Sequence, residues 1–182
     1  HFVKAKAKLL GVPVIPVHHS IAHLEIGQSL GAKDPVLLYA SGANTQIIAY
    51  AGQRYRIFGE TLDVGIGNCL DKIARALGFP FPGGPELEKL ALNGNYHELK
   101  YSLKGMDVSF SGLQNQALQL REKGMSSEDV ACSVQETAFA MLVEASERAL
   151  AHTGKKELVL GGGVACNARL QEMCKLMCQA RG

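Results

Sequence analysis

The chain has no apolar run approaching the roughly 18 residues that cross a bilayer, and no signal peptide opens it. Both absences argue against a membrane role and lead to the expectation of a cytoplasmic protein, also nuclear if the source is eukaryotic. The five cysteines (Cys69, Cys132, Cys166, Cys174 and Cys178) are odd in number and lack zinc-type pairing. They are therefore read as reduced thiols rather than a disulfide framework or a metal knuckle. Cys174 and Cys178 share one helical face and read as packing residues. Charge of one sign is also scarce: the net charge is +2, so composition alone names no nucleic-acid partner. Lys4, Lys6 and Lys8, and the pair Lys155-Lys156, read as solvated surface. There is no internal repeat and no low-complexity linker. There is no initiator Met, and Arg181-Gly182 reads as a helix stop where a further strand is expected, so the chain is read as partial.

The 182 residues, 47% hydrophobic and 20% charged, have ordinary globular composition and suit one domain or two small lobes. His1 to Leu10 reads as a helix closed by Gly11 and Pro13, and Val12 to Val17 as a buried strand. Ser20 to Leu30 is a predicted helix. Pro35 to Ala40, Thr45 to Tyr50 and Tyr55 to Phe58 are predicted strands, the last two joined by a turn at Ala51-Gly52-Gln53. Val64 to Leu77 reads as a helix. The prolines and glycines of 79–85 break both ladders, and Glu86 to Leu92 is helical again. Tyr101 to Leu113 reads as irregular. Ser126 is the predicted N-cap of a long helix with a core stripe of Val130, Val134, Ala138, Met141, Leu142 and Ala145. Glu157 to Leu160 is a strand, Gly161 to Gly163 a turn, and Cys166 to Arg181 a helix. Strands, glycine turns and helices alternate, which indicates an α/β architecture.

His19 and His23 stand four apart in a predicted helix, so both imidazoles project from one face about a turn apart and can reach one ion. Spacing alone leaves the pair either metal-binding or incidental. His18 points elsewhere, and the His-Glu-x-x-His order of the zincins is absent. Tyr39 ends an apolar strand at the carboxyl edge, where α/β folds bind ligands; it is either a ligand phenol or a core aromatic. Two imidazoles and a phenolate suit iron or zinc better than calcium or magnesium. Ser41-Gly42-Ala43-Asn44 and Gly161-Gly162-Gly163 each follow a strand. Such turns let backbone N–H groups approach phosphate, and the second leads into a helix N-terminus that favours anions. The last glycine of the dinucleotide fingerprint is missing, which disfavours a Rossmann dehydrogenase. Asp71 and Glu88 flank the Pro82-Gly83-Gly84-Pro85 loop. They either accept ribose hydroxyls or pair with Lys72 and Lys89. Asn167 either caps the last helix or bonds a ligand.

In order along the chain stand His-Ser-Ile-Ala-His, Leu-Tyr-Ala-Ser-Gly-Ala-Asn-Thr-Gln, Gly59-Glu60-Thr61-Leu62-Asp63, Gly67-Asn68-Cys69-Leu70-Asp71-Lys72, Phe81-Pro82-Gly83-Gly84-Pro85, Met106 to Gly112, and Gly162-Gly163-Val164-Ala165-Cys166-Asn167. This series resembles the tRNA threonylcarbamoyladenosine transferase family, in older usage the O-sialoglycoprotein endopeptidase or glycoprotease family. The resemblance spans essentially the whole chain. Gln135-Glu136-Thr137, Phe139 to Glu144 and Met177 to Gly182 are similar to the archaeal and eukaryotic branch, which works in the KEOPS complex with a small kinase and a dimerisation subunit.

The resemblance implies an actin-like and Hsp70-like ATPase fold, two lobes around a nucleotide cleft. Residues 1–182 would be its central part, without the amino-terminal phosphate loop and without the carboxyl-terminal aspartate that completes the metal set. It implies transfer of threonylcarbamoyl from threonylcarbamoyl-AMP to N6 of the adenosine beside the anticodon, in tRNAs reading codons that start with A. By the same carry-over, His19, His23 and Tyr39 hold one divalent or trivalent ion, iron or zinc. Tyr39, Ser41, Gly42, Ala43, Asn44, Asp71, Gly84, Glu88 and Asn167 bind substrate or nucleotide (ATP or the adenylate). No residue is assigned as a general base, and the chain alone is expected to be an incomplete enzyme. Ala43 stands where the family usually has a second glycine, and its methyl group would crowd the substrate if a positive φ were needed there. Two alternatives are a metalloprotease, which lacks a carboxylate base at zincin spacing, and a non-catalytic ATP-binding scaffold, against which the histidines and Tyr39 argue.

Overall fold

The computed structural model describes residues 1–182. Helices α1 (Phe2–Leu10) and α2 (His19–Ser29) precede β1 (Pro35–Ala40), β2 (Thr45–Ala51) and β3 (Arg54–Glu60). Then come α3 (Ile66–Ala76), α4 (Gly84–Ala91), a small hairpin of β4 (Leu103–Lys104) and β5 (Asp107–Val108), α5 (Ser111–Glu122) and α6 (Ser127–Thr153). Strand β6 (Glu157–Gly161), a 3₁₀ turn (Gly163–Cys166) and α7 (Ala168–Arg181) close the chain.

The main sheet has the order β3-β2-β1-β6. β1 and β2 are antiparallel, as are β2 and β3, while β6 lies parallel to β1 with Tyr39 opposite Gly161. A parallel partner needs a long crossover; here that crossover is the whole of α3 to α6. The two-residue turn between β2 and β3 carries φ of 59° at Gly52 and 62° at Gln53, the primed geometry that matches the twist of a hairpin.

Strand β1 is buried along its whole length because both faces of the sheet are covered there. Val36, Leu38 and Ala40 point into the main core, under α6, with Ile47 and Ala49. Leu37 and Tyr39 point the other way, into a small cluster with Leu24 of α2 and Ile48. Fully burying one such leucine is worth about 1.5–3 kcal/mol. Period-two alternation therefore sends β1 into two separate clusters. Glycine allows α2 to approach: a Cβ on Gly27 would lie 2.8 Å from a Val159 methyl carbon. On the opposite side, α6 starts as expected at Ser126, whose hydroxyl accepts the N–H of Asp129 at 3.0 Å, and its core stripe is buried.

Three elements differ from the sequence reading. Val12 to Val17 is neither strand nor buried: Ile15 is 79% and Val17 71% exposed. Pro13 and Pro16 remove two ladder donors, and no strand of this chain pairs with the segment. Tyr101 to Leu113 is not wholly irregular. It holds the β4–β5 hairpin, and α5 opens at Ser111, with Asp63 accepting the Phe110 and Ser111 N–H groups at 2.9 Å each. The last helix begins at Ala168, because Gly163 to Cys166 winds as a 3₁₀ turn. Lys155 is buried, its ammonium paired with Asp34, so only Lys156 of that pair is solvated.

Candidate functional site

Two groups of residues meet at the carboxyl ends of β1 and β6, one on each side of the sheet. On the α2 side, His19 opens α2 and His23 follows one turn later. Their ring centroids are 4.9 Å apart, and the Tyr39 ring lies 4.9 Å from His23 and 5.8 Å from His19. Tyr39 is 4% exposed, so it is fixed from below while His19 remains open to solvent. Gly161, opposite Tyr39 in the register, makes room for His23: a Cβ there would lie 3.3 Å from both Cβ and Nδ1 of His23. His18 is exposed and only its carbonyl is used, by the Ala22 N–H. Nowhere do three or more His, Cys, Asp and Glu side chains converge, so an ion at this cluster would take the Tyr39 phenol as its third donor. Two imidazoles and a phenol of borderline softness fit iron or zinc, and not the all-oxygen preference of calcium or magnesium.

Sequence reasoning had no sight of the neighbour on the other flank. Gln46 pairs with Tyr39 across β1 and β2, and Glu60 pairs with Gln46 across β2 and β3. The Ser20 hydroxyl donates to Gln46 Oε1 at 3.3 Å, and Gln46 Nε2 donates to Glu60 Oε2 at 3.4 Å. A hairpin register counted outward from the Ser41–Asn44 turn, with Ala40 opposite Thr45, finds Gln46 beside Tyr39.

On the other side lies a cavity of about 380 Å³ lined in part by Gly42, Asn68, Asp71, Gly84, Glu88 and Asn167, within the range of small-molecule sites. The Ser41–Asn44 turn forms its edge. The Ser41 N–H donates to the Asn44 carbonyl at 2.9 Å, and the Ser41 hydroxyl to the same oxygen at 3.0 Å. The turn rests on the first residues of α3: Gly67 N–H donates to Ser41 O at 3.1 Å and Asn68 N–H to Gly42 O at 2.9 Å. Ala43 does not take a positive φ, so its methyl group costs the turn nothing conformationally. Of the turn only Gly42 lines the cavity; Ser41, Ala43 and Asn44 do not.

Both acids are anchored by one oxygen. Asp71 Oδ1 accepts the Gly83 N–H at 2.7 Å, and Glu88 Oε1 accepts the Ala168 N–H at 2.7 Å. Neither pairs with a lysine; Lys89 pairs with Glu86. Their second oxygens stand without a protein partner beside the cavity. Asn167 settles as a cap: its Oδ1 accepts from Arg169 N–H at 2.9 Å and Leu170 N–H at 3.2 Å, and its amide donates to Gln135 at 3.0 Å. The helix start after the triple glycine is thus occupied by Asn167 and Glu88, and does not offer the free anion site expected from sequence. Gly162 keeps the turn tight, with φ of 92° and a would-be Cβ 2.6 Å from the Ala40 carbonyl carbon. Phe81, at the lip of the same cavity, was not singled out from sequence.

A family profile described as "TsaD: tRNA N6-adenosine threonylcarbamoyltransferase" matches residues 1–182. The chain belongs to that family. Its actin-like and Hsp70-like ATPase fold class follows from the membership. A tRNA N6-adenosine threonylcarbamoyltransferase of Thermococcus kodakarensis is 59% identical over 172 residues, covering 93% of this chain and 53% of that protein. A probable bifunctional tRNA threonylcarbamoyladenosine biosynthesis protein of Methanocorpusculum labreanum is 58% identical over 174 residues, covering 95% of this chain and 33% of that protein. The chain thus spans a third to about a half of these relatives. Among solved structures, HypF of T. kodakarensis superposes with a TM-score of 0.79 at 16% identity, covering 98% of this chain and 34% of HypF, a likeness of fold alone. No helix is long and apolar enough to cross a membrane.

Proposed function

We propose that the chain forms the donor-binding part of an enzyme that transfers threonylcarbamoyl from threonylcarbamoyl-AMP to N6 of the adenosine beside the anticodon, in tRNAs reading codons that start with A. One observation carries this reading. The end of β1 delivers the Tyr39 phenol to the histidine pair on one face of the sheet, and three residues later Gly42 lines the cavity on the other. A donor with an acyl end and a nucleotide end suits a site with two such halves.

In this reading the free oxygens of Asp71 and Glu88 accept the ribose hydroxyls. The Ser41–Asn44 turn and the Gly161–Gly163 strand end hold the linkage between the halves, and the backbone N–H groups of Gly42 and Gly163, which line the cavity, stabilise charge on the leaving phosphate. His19, His23 and Tyr39 would hold one iron or zinc ion, which supplies polarisation of the carbamoyl carbonyl. The N6 lone pair is delocalised into its ring, so the acceptor depends on a donor already activated as its adenylate. N6 bonds to the carbamoyl carbon, the bond to the phosphate oxygen breaks, AMP leaves, and the amine proton passes to solvent. No side chain is assigned as base.

The phosphate loop and a closing metal carboxylate are proposed to lie in the parts of the relatives that this chain does not span. The proposed partners are tRNA and the KEOPS subunits, including the small kinase and the dimerisation subunit. With a net charge of +2, much of the cationic surface for tRNA would come from those partners. The test is transfer from threonylcarbamoyl-AMP to tRNA by the full-length protein with those subunits. His23→Ala is expected to abolish transfer and lower metal content; unchanged transfer with unchanged metal content refutes the metal assignment.

A further inference from the structure

We propose that Phe81 is the stacking platform for the nucleobase in the cavity, an inference that rests on the nucleotide reading of that cavity. Phe81 lines the cavity and is 77% exposed. A single exposed apolar side chain is ordinary on a protein surface. This one differs in being carried on an anchored loop and held beside a concave, partly polar wall.

The anchoring is specific. Pro80, Pro82 and Pro85 restrict the backbone on either side of the ring. Asp71 Oδ1 accepts the Gly83 N–H at 2.7 Å. A Cβ on Gly83 would collide with the Ala74 methyl group and lie 3.3 Å from Asp71 Cα, so the loop sits directly on α3. The ring is therefore presented to solvent by a fixed backbone instead of folding back into the core, which is the preorganised form of a binding surface.

The polar groups divide the cavity by chemistry. Asp71 and Glu88 each leave one carboxylate oxygen free, which suits vicinal hydroxyls and repels phosphate. The Gly42 and Gly163 backbones form another wall, which suits the phosphate end. A flat, apolar, nitrogen-rich ring is the remaining part of a nucleotide, and Phe81 is the one exposed aromatic side chain of the lining. Stacking on an aromatic side chain contributes about 1–3 kcal/mol per base, so losing it weakens binding roughly five- to 150-fold.

The experiment is calorimetric titration of AMP into the full-length protein and its Phe81→Ala, Phe81→Leu and Phe81→Tyr variants. Phe81→Ala and Phe81→Leu are expected to raise the Kd about fivefold or more, and Phe81→Tyr to leave it within twofold. Because the side chain is exposed, unchanged melting temperatures should accompany these shifts. If Phe81→Leu binds as wild type, the residue merely fills space and the stack is refuted. If Phe81→Ala binds as wild type while wild type binds AMP, the stack alone falls. A wild-type protein that does not bind AMP removes the nucleotide reading and the stack with it.

Discussion

Gly65→Ala tests the packing that joins the Ser41–Asn44 turn to the helix beneath it. A Cβ on Gly65 would collide with the Gly42 carbonyl oxygen and lie 2.5 Å from both carbon and oxygen of the Ala43 carbonyl. These atoms are backbone, so no side-chain rotation relieves the clash, and the turn must lift from α3. Three hydrogen bonds hold it there: Ile66 N–H to the Thr45 hydroxyl at 2.9 Å, Gly67 N–H to Ser41 O, and Asn68 N–H to Gly42 O. At about 1 kcal/mol net for each bond, with about 1–3 kcal/mol for overpacking, the variant should lose about 4–6 kcal/mol. For a protein of this size that corresponds to a fall in Tm of roughly 8–24 °C. The control is Gly84→Ala, whose Cβ would meet nothing within 4 Å and whose φ is not positive; its Tm should stay within about 2 °C. Thermal unfolding by circular dichroism, with AMP titration in parallel, reads both. A Gly65→Ala protein that melts with wild type and binds AMP equally well refutes the proposed dependence of the turn on α3.

Other outcomes follow from the same contacts. Burial pushes the Asp63 carboxyl up, but the N–H groups of Phe110, Ser111 and Val64 outweigh it and hold the group below the usual aspartate range. Its stabilising effect is present above the unfolded-state value near 4 and is lost as pH falls through the lower folded-state value. Urea titrations between pH 3 and 7 should show a flatter acid limb for Asp63→Asn, and an unchanged limb contradicts this. Asn167→Ala removes a cap and the Gln135 bond, and should cost about 1–2 kcal/mol in urea unfolding. Burial pushes the thiols of Cys69 and Cys174 up to about 12. Mass-spectrometric mapping after brief iodoacetamide treatment should therefore find Cys166, which is exposed at the cavity wall, labelled far ahead of those two. Saturating AMP should slow Cys166 labelling.

Much of this was legible where periodicity and local chemistry agree. The span of β1, the Ser126 cap and the glycine-terminated helices are local matters, decided by residues within a few positions of each other. The His19–His23–Tyr39 cluster was legible for a related reason: a helical spacing of four and a strand-end tyrosine both point at one crevice. What escaped depends on contacts far apart in the chain. Val12 to Val17 has the composition of a buried strand, but burial requires a partner, and composition does not report one. The start of α5 is set by Asp63, nearly 50 residues earlier. The anion site expected at α7 was lost to Glu88, 80 residues away. Gln46 needed the hairpin register, and Phe81 needed knowledge that its loop is pinned with the ring outward.

The two halves of the site are coupled through one strand, and this separates the transferase reading from its rivals. A metalloprotease needs an ion and a carboxylate beside the attacking water. Glu25, the acid that shares α2 with the histidines, is hydrogen-bonded to the Tyr55 hydroxyl, and that bond pushes the Tyr55 hydroxyl up to about 12. A protease would also make no use of Asp71, Glu88 or the cavity. An ATP-binding scaffold needs the cavity but gives no reason for two imidazoles to stand at ring-contact distance from a buried tyrosine. Transfer from an adenylate requires both halves at a fixed separation, because the bond that breaks joins the acyl end to the phosphate. That separation is set by the backbone from Tyr39 to Gly42, gripped by α3 on one side and by Gly161 and Gly162 on the other. Gly162→Ala, which would force a Cβ against the Ala40 carbonyl, should therefore disturb metal content and AMP affinity together. Loss of only one of them would show that the halves are independent.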